Sequence, residues 1–210
     1  YGHNSMGGVI NLLTNVSSSN NNTTLRLLSG SHSLYQSSIK YNKMKNNFDY
    51  GINMMIRTSS GHRFNADDRV QRLRTFLRYS DKNGRNYNLS YSIAFSDIGH
   101  PGFDIDPSTK YRRSNRLTQY LQLHGFYAIK TGLSMSHSLF INKFKTHYYN
   151  RNDTPEDDIE LETNYNDINI GIRSEMLITR LARWILMLGY DCDWSQSNVD
   201  LINQQYGNPS

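Results

Sequence analysis

The sequence predicts an all-β fold: an antiparallel meander of about nine strands. Three observations predict it. Apolar residues recur with period two in stretch after stretch, the pattern of a strand with one apolar face. The stretches are joined alternately by short turns and long polar segments. No apolar run approaches the roughly 20 residues of a membrane-crossing helix; the longest candidate, Trp184-Ile185-Leu186-Met187-Leu188-Gly189, is far shorter.

The clearest element is Tyr87–Ser96. Tyr87, Leu89, Tyr91, Ile93 and Phe95 share one parity, and Asn88, Ser90, Ser92, Ala94 and Ser96 the other. Phe48, Tyr50, Ile52, Met54 and Ile56 make a second stripe, with Asp49, Asn53 and Arg57 opposite. Leu133, Met135, Leu139 and Ile141 make a third, interrupted by His137. Ile168, Ile170, Ile172, Met176 and Ile178 make a fourth, against Asn169, Arg173 and Glu175. Trp184, Leu186, Leu188, Tyr190 and Trp194 make a fifth, against Asp191 and Asp193. Weaker versions cover 25–30, 35–44, 73–80 and 117–127, and most fit the ~9–11 residues a tilted strand needs to cross a bilayer.

Short connections are expected at 45–47, 81–85, 128–132 and 179–183, the second carrying an Asn83-Gly84 turn signal. Long ones are expected at 59–72, 97–116 and 147–164. Short turns at one end and long loops at the other are the habit of an outer-membrane barrel, with turns periplasmic and loops extracellular. Such a barrel also reconciles low mean hydropathy with an aromatic content of 12% and 15 tyrosines, because only alternate residues meet lipid. Tyr41, Phe48, Tyr50, Tyr87, Phe95, Tyr148, Tyr149, Trp184 and Trp194 fall near strand ends, where interfacial girdles would place them; ordinary hairpin aromatics are the alternative.

Composition narrows the function classes. The net charge of +5 comes from scattered basic residues. Arg112-Arg113 with Arg116, and Arg69, Arg72 and Arg74, form no dense phosphate-binding stripe and read as a solvated face, so nucleic acid is not expected as a partner. The single cysteine, Cys192, is read as a small apolar strand residue. No nucleophile-elbow motif and no zinc spacing occur, so no enzyme is expected.

Residues 1–14 read YGHNSMGGVINLLT. By physics alone this is a glycine-marked turn entering a short buried strand. The string resembles the end of the plug domain of TonB-dependent outer-membrane receptors. Tyr1, Gly2, Gly7, Gly8, Val9, Ile10, Asn11 and Thr14 match; Leu12 and Leu13 replace the more usual isoleucines. The Gly99-His100-Pro101-Gly102 string is also similar to one at the corresponding loop of that family. The resemblance implies a fragment: 1–14 as the plug's C-terminal end, 15–22 as a linker, and 23–210 as the first part of a transmembrane barrel. It implies energy-coupled uptake of a metal chelate (a ferric siderophore, haem or cobalamin), with the TonB–ExbB–ExbD system and outer-membrane lipid as partners. A small outer-membrane barrel with an adhesin or structural role is the alternative, and a soluble glycan-binding β-sandwich a third.

His62, Arg63, His100 and Tyr111 in the long loops are candidate ligand contacts. Asp67, Asp68, Asp97, Asp104 and Asp106 are candidates for a calcium cluster, calcium favouring many oxygen ligands; a solvated loop face is the plainer reading, as it is for the acidic run 153–160. Arg57, Arg74, Arg78, Arg173, Glu175, Asp191 and Asp193 are expected on the interior face, either wedging plug against wall or lining a polar path.

Overall fold

A computed structural model describes residues 21–101, 112–151, 159–181 and 184–203. Nine strands follow one another: β1 (Asn22–Gly30), β2 (Leu34–Lys45), β3 (Phe48–Ser59), β4 (Asp68–Ser80), β5 (Asn86–His100), β6 (Arg112–Lys130), β7 (Leu133–Arg151), β8 (Ile159–Leu181) and β9 (Trp184–Asn203). They form one sheet in sequence order, each pair antiparallel. The fold class is the expected all-β meander, an arrangement compatible with part of a barrel.

The connections between β2 and β3, β4 and β5, β6 and β7, and β8 and β9 gather at one edge of the sheet, the turn end. Those after β1, β3, β5 and β7 gather at the other, the loop end. Local chemistry sets the turns. Asp81 accepts through Oδ1 from the amides of Asn83 (2.9 Å) and Arg85 (2.8 Å), and Gly84 takes φ +77° to complete the reversal.

Pairing register puts the stripes on one face. Phe48, Tyr50, Ile52 and Met54 of β3 stand opposite Tyr79, Leu77, Thr75 and Leu73 of β4; Tyr87, Leu89 and Tyr91 of β5 stand opposite Gly125, Leu123 and Leu121 of β6. At its turn end this face carries an aromatic row, with ring centroids 5.1 Å apart for Phe48–Tyr79 and 6.4 Å for Tyr79–Tyr87. The opposite face is polar and includes all seven charged residues expected there. Four phenylalanines, Phe76, Phe126, Phe140 and Phe144, interrupt it, and two of them lie over a glycine on the next strand. A Cβ at Gly51 would stand 2.6 Å from Phe76 Cε1, and one at Gly171 would stand 2.7 Å from Phe140 Cε1.

Among the described residues there is no buried hydrophobic side chain; the buried ones are polar, such as Asn42, Asn65 and Arg113. Leu27 is 71% exposed and Trp184 77%. No second layer covers the apolar face, so these residues do not form the two-layer sandwich held open above.

The apolar stripe also drifts across the register. Tyr87 aligns through Gly125, His137 and Ser174 with Tyr190, and Phe95 aligns through Leu117, Lys145 and Asn166 with Asn198. The stripe on β9 ends at Trp194 rather than Asn198, a displacement toward the turn end of about 13 Å at ~3.3 Å per residue. Four strand spacings separate β5 from β9, about 19 Å. Between β5 and β9 the apolar belt therefore slopes at about 35° to the perpendicular of the strands, whereas from β3 to β5 it runs level, Phe48 aligning through Tyr79 with Tyr87 and Ile56 through Gln71 with Phe95.

The long connections are shorter than expected. β3 runs to Ser59 and β4 starts at Asp68; β5 runs to His100 and β6 starts at Arg112; β7 runs to Arg151 and β8 starts at Ile159. Asp68, Asp97 and His100 thus lie on strands. Polar hairpins keep pairing past the apolar stripe because cross-strand side-chain pairs such as Arg57–Asp68 (3.3 Å) and His147–Glu162 (2.9 Å) support them. Lengths rise from 9 residues in β1 to 23 in β8, beyond the crossing length expected.

Candidate functional site

At the loop end, residues 60–67 fold back onto the β5–β6 hairpin and are clasped there. The side-chain amide of Asn65, itself buried, donates to the carbonyls of His100 (3.2 Å) and Arg112 (2.8 Å). The Gly99 amide donates to Asp67 O at 2.9 Å. Arg113, only 7% exposed, lies between two carboxylates. Its Nη1 and Nη2 donate to the two oxygens of Asp67 (2.9 and 2.8 Å), and its Nε and Nη2 donate to Asp97 Oδ1 (3.0 and 2.9 Å). The planar guanidinium matches carboxylate geometry, which a lysine would not.

The electrostatics follow. Hydrogen bonding from Arg113 holds the Asp67 carboxyl below the usual carboxylate range, against the opposing effect of burial. The two carboxylates in turn raise Arg113. His100, beyond the apolar stripe at the end of β5, is lowered by burial and then by the nearby Arg116 and Arg113 charges. Its Nε2 is hydrogen-bonded to Ser114 Oγ at 2.8 Å, and its ring centroid lies 6.0 Å from that of Tyr148.

Among the expected site residues, Asp67 and Asp97 are brought together, with His100 close by. His62 sits apart, its ring 6.2 Å from His32, on a neighbouring loop tied to Ser60. Asp68 turns to the other face and pairs with Arg57. Arg63 accepts at its carbonyl from the Ala66 amide. Tyr111, Asp104, Asp106 and the motif residues Tyr1, Gly2, Gly7, Gly8, Val9, Ile10, Asn11 and Thr14 lie outside the described residues. As arranged, the described carboxylates do not fit a calcium shell. Calcium takes 6–8 oxygens, but Asp67 and Asp97 are committed to Arg113, and among the described residues no three metal-ligating side chains gather.

Two expectations are corrected here. Arg113 is not part of a solvated basic face but the buried centre of the clasp. Tyr148 does not join an aromatic girdle: it pairs with Ser114 and Thr163 on the polar face. Asn65 and Arg113 were missed because their partners lie 35 and 46 residues away in the chain, and no local spacing signals such a contact.

The polar face carries two grooves. One of about 640 Å³ is lined by Arg72, Arg74, Tyr120, Gln122 and Asn142 among others, and one of about 350 Å³ by Lys40, Asn53, Arg74, Arg78 and Asn88. Neither is lined by an acid. On the apolar face, His137 is satisfied at both ring nitrogens, Nδ1 by Ser174 Oγ (2.6 Å) and Nε2 by Tyr127 OH (2.8 Å).

No protein-family model matches the chain, and no curated protein matches it in sequence. The functional reading therefore rests on the geometry above and on the motif at the start of the chain.

Proposed function

We propose that this chain is the first part of the barrel wall of a TonB-dependent outer-membrane receptor, joined at residues 1–14 to the end of its plug, and that the whole receptor imports a metal chelate. The observation that carries the reading is a nine-stranded sheet whose apolar stripes share one uncovered face while its buried positions are polar. In water such a face would be an aggregation liability; in a bilayer it is the lipid contact. The slope of the apolar belt supports the same reading. Over β5–β9, a belt parallel to the membrane plane requires strands tilted by about 35°, within the range of closed barrels. The loop end is then extracellular, where the clasp orders the β3–β4 loop, and the protein's task is binding and passage rather than bond-making.

A small self-contained barrel would pair its first and last strands; among the described residues β1 and β9 each pair with one neighbour. No observation favours the adhesin alternative.

The deciding experiment is uptake by the full reading frame expressed in an outer membrane. Accumulation of radiolabelled ferric siderophores, haem and cobalamin is measured with and without a protonophore. Energy-dependent accumulation of one chelate class is expected. Lack of uptake of all three, with the barrel assembled, removes the importer assignment.

A further inference from the structure

The loop-end border of the apolar belt carries two cations on β7. That border lies at Phe95 on β5 and at Trp194 on β9. Register carries these two heights to Lys145 and Ile141 on β7, so the sloping border crosses β7 at Lys143. Lys143 and Lys145 share the parity of Leu139 and Ile141, which puts both on the apolar face, about 7 Å apart along the strand. Lys143 is half-buried and Lys145 exposed. Among the described residues neither has an ion-pair partner. Of the carboxylates toward the loop end of this face, Asp97 is held by Arg113 and Glu162 by His147. Asp200 stands two strands and two residues from Lys145, about 12 Å away.

The surroundings of the two lysines are uncharged and rich in amides. Gln119 of β6 stands opposite Lys143, Asn166 of β8 stands opposite Lys145, and Gln196 and Asn198 of β9 complete the two rows. Asn166, Gln196 and Asn198 are exposed. Each amide both donates and accepts, which suits sugar hydroxyls, whereas an ammonium group suits phosphate as a point charge. The turn-end border differs. There Lys43 and Lys45 of β2 share the apolar face but stand opposite Tyr50 and Phe48, the surroundings of a lysine that only reaches for the interface.

We propose that Lys143 and Lys145, with the amides beside them, bind the phosphorylated sugar headgroup of a glycolipid in the leaflet at the loop end. Cations at that height attract anionic headgroups. A glycerophosphate headgroup would answer the lysines and leave the amides to water. The inference rests on the part of the receptor reading in which the apolar face meets lipid, and it requires no transport.

The test uses the full-length protein purified in detergent, with native mass spectrometry reading bound lipid. The probes are a bisphosphorylated diglucosamine lipid, the same lipid stripped of its phosphates, and phosphatidylglycerol. Wild type and the charge-keeping Lys143→Arg/Lys145→Arg pair are expected to bind the first probe most tightly. Lys143→Gln/Lys145→Gln is expected to weaken that binding about 30-fold, equivalent to about 2 kcal/mol for two lysines, and Lys43→Gln/Lys45→Gln to leave it unchanged. Should the first glutamine pair fail to assemble, Lys143→Gln and Lys145→Gln serve singly, each with a loss of about five-fold. Equal affinity for the stripped lipid, or equal losses from the two glutamine pairs, overturns the proposal. So does equally tight binding of phosphatidylglycerol, since the amides would then recognise nothing. Full-length protein that stays dissolved without detergent or lipid would instead overturn the lipid-facing reading itself.

Discussion

Replacing Arg113 with Met keeps most of the side-chain bulk and removes the charge that binds the β3–β4 loop to the β5–β6 hairpin. Four N–H···O contacts between 2.8 and 3.0 Å are lost. At about 1.5–3 kcal/mol for each hydrogen bond to a charged group, the gross loss would be large. The carboxylates, however, are not deeply buried: their side chains are 41% (Asp67) and 32% (Asp97) exposed and regain water once the guanidinium is gone. The net local cost is therefore about 2–3 kcal/mol, below the ~3–5 of a fully buried pair that loses one partner. Amide hydrogen exchange reads it directly, because the Gly99 amide donates to Asp67 O. Exchange at Gly99 is expected to accelerate roughly 30- to 150-fold, at 1.4 kcal/mol per factor of ten. Leu89, mid-strand on the same hairpin, is the control and should not change. Acceleration under about three-fold at Gly99, or equal acceleration at Leu89, would show that Arg113 does not act as a local clasp.

Three further predictions follow from the same geometry. The Asp67 carboxyl is depressed by Arg113, so its contribution is present above the ordinary value of 3.8 and is lost as pH falls through its lower folded value. Protease cleavage of the 60–67 loop should accordingly stay unchanged from pH 7 to 5 and rise only below about 4, whereas onset near pH 6 would contradict the assignment. His100 should titrate by NMR below its ordinary 6.5, and Arg116→Gln should move that midpoint upward; a midpoint above 6.5 in the parent would refute the described surroundings. An arginine at Tyr91 or Ile170 on the apolar face should lower stability in bilayers by about 2–4 kcal/mol, whereas Ser90→Arg or Asn169→Arg on the polar face should be tolerated. Equal costs on both faces, read from urea-induced unfolding in vesicles, would mean that lipid does not contact the apolar side.

Much of the fold was legible because period two is a local signal. Tyr87, Leu89, Tyr91, Ile93 and Phe95 declare their face without knowledge of any partner strand, and Asn83-Gly84 declares its turn. Strand ends are less legible: Asp68, Asp97 and Arg112 are polar, and their polarity reads as loop where cross-strand pairing in fact continues. The clasp was half legible. Asp67 and Asp97 are legible as converging carboxylates, but their cation is Arg113, a side chain whose sequence context reads as solvated. Which charge neutralises a carboxylate depends on the hairpin register between β5 and β6, set by the stripes as a whole rather than by any motif near Arg113.

The unequal strands have a consequence of their own. Above the apolar belt β3 continues only from Arg57 to Ser59, whereas β8 continues from Asp167 up to Ile159, about 30 Å of extra ribbon at ~3.3 Å per residue. The mouth of such a wall is cut obliquely, with a low sill beside β1–β3 and a tall screen beside β7–β9. In the receptor proposed above, a bulky visitor from the medium would meet the screen first. A small solute would pass over the sill, and the Arg113 clasp stands between the two.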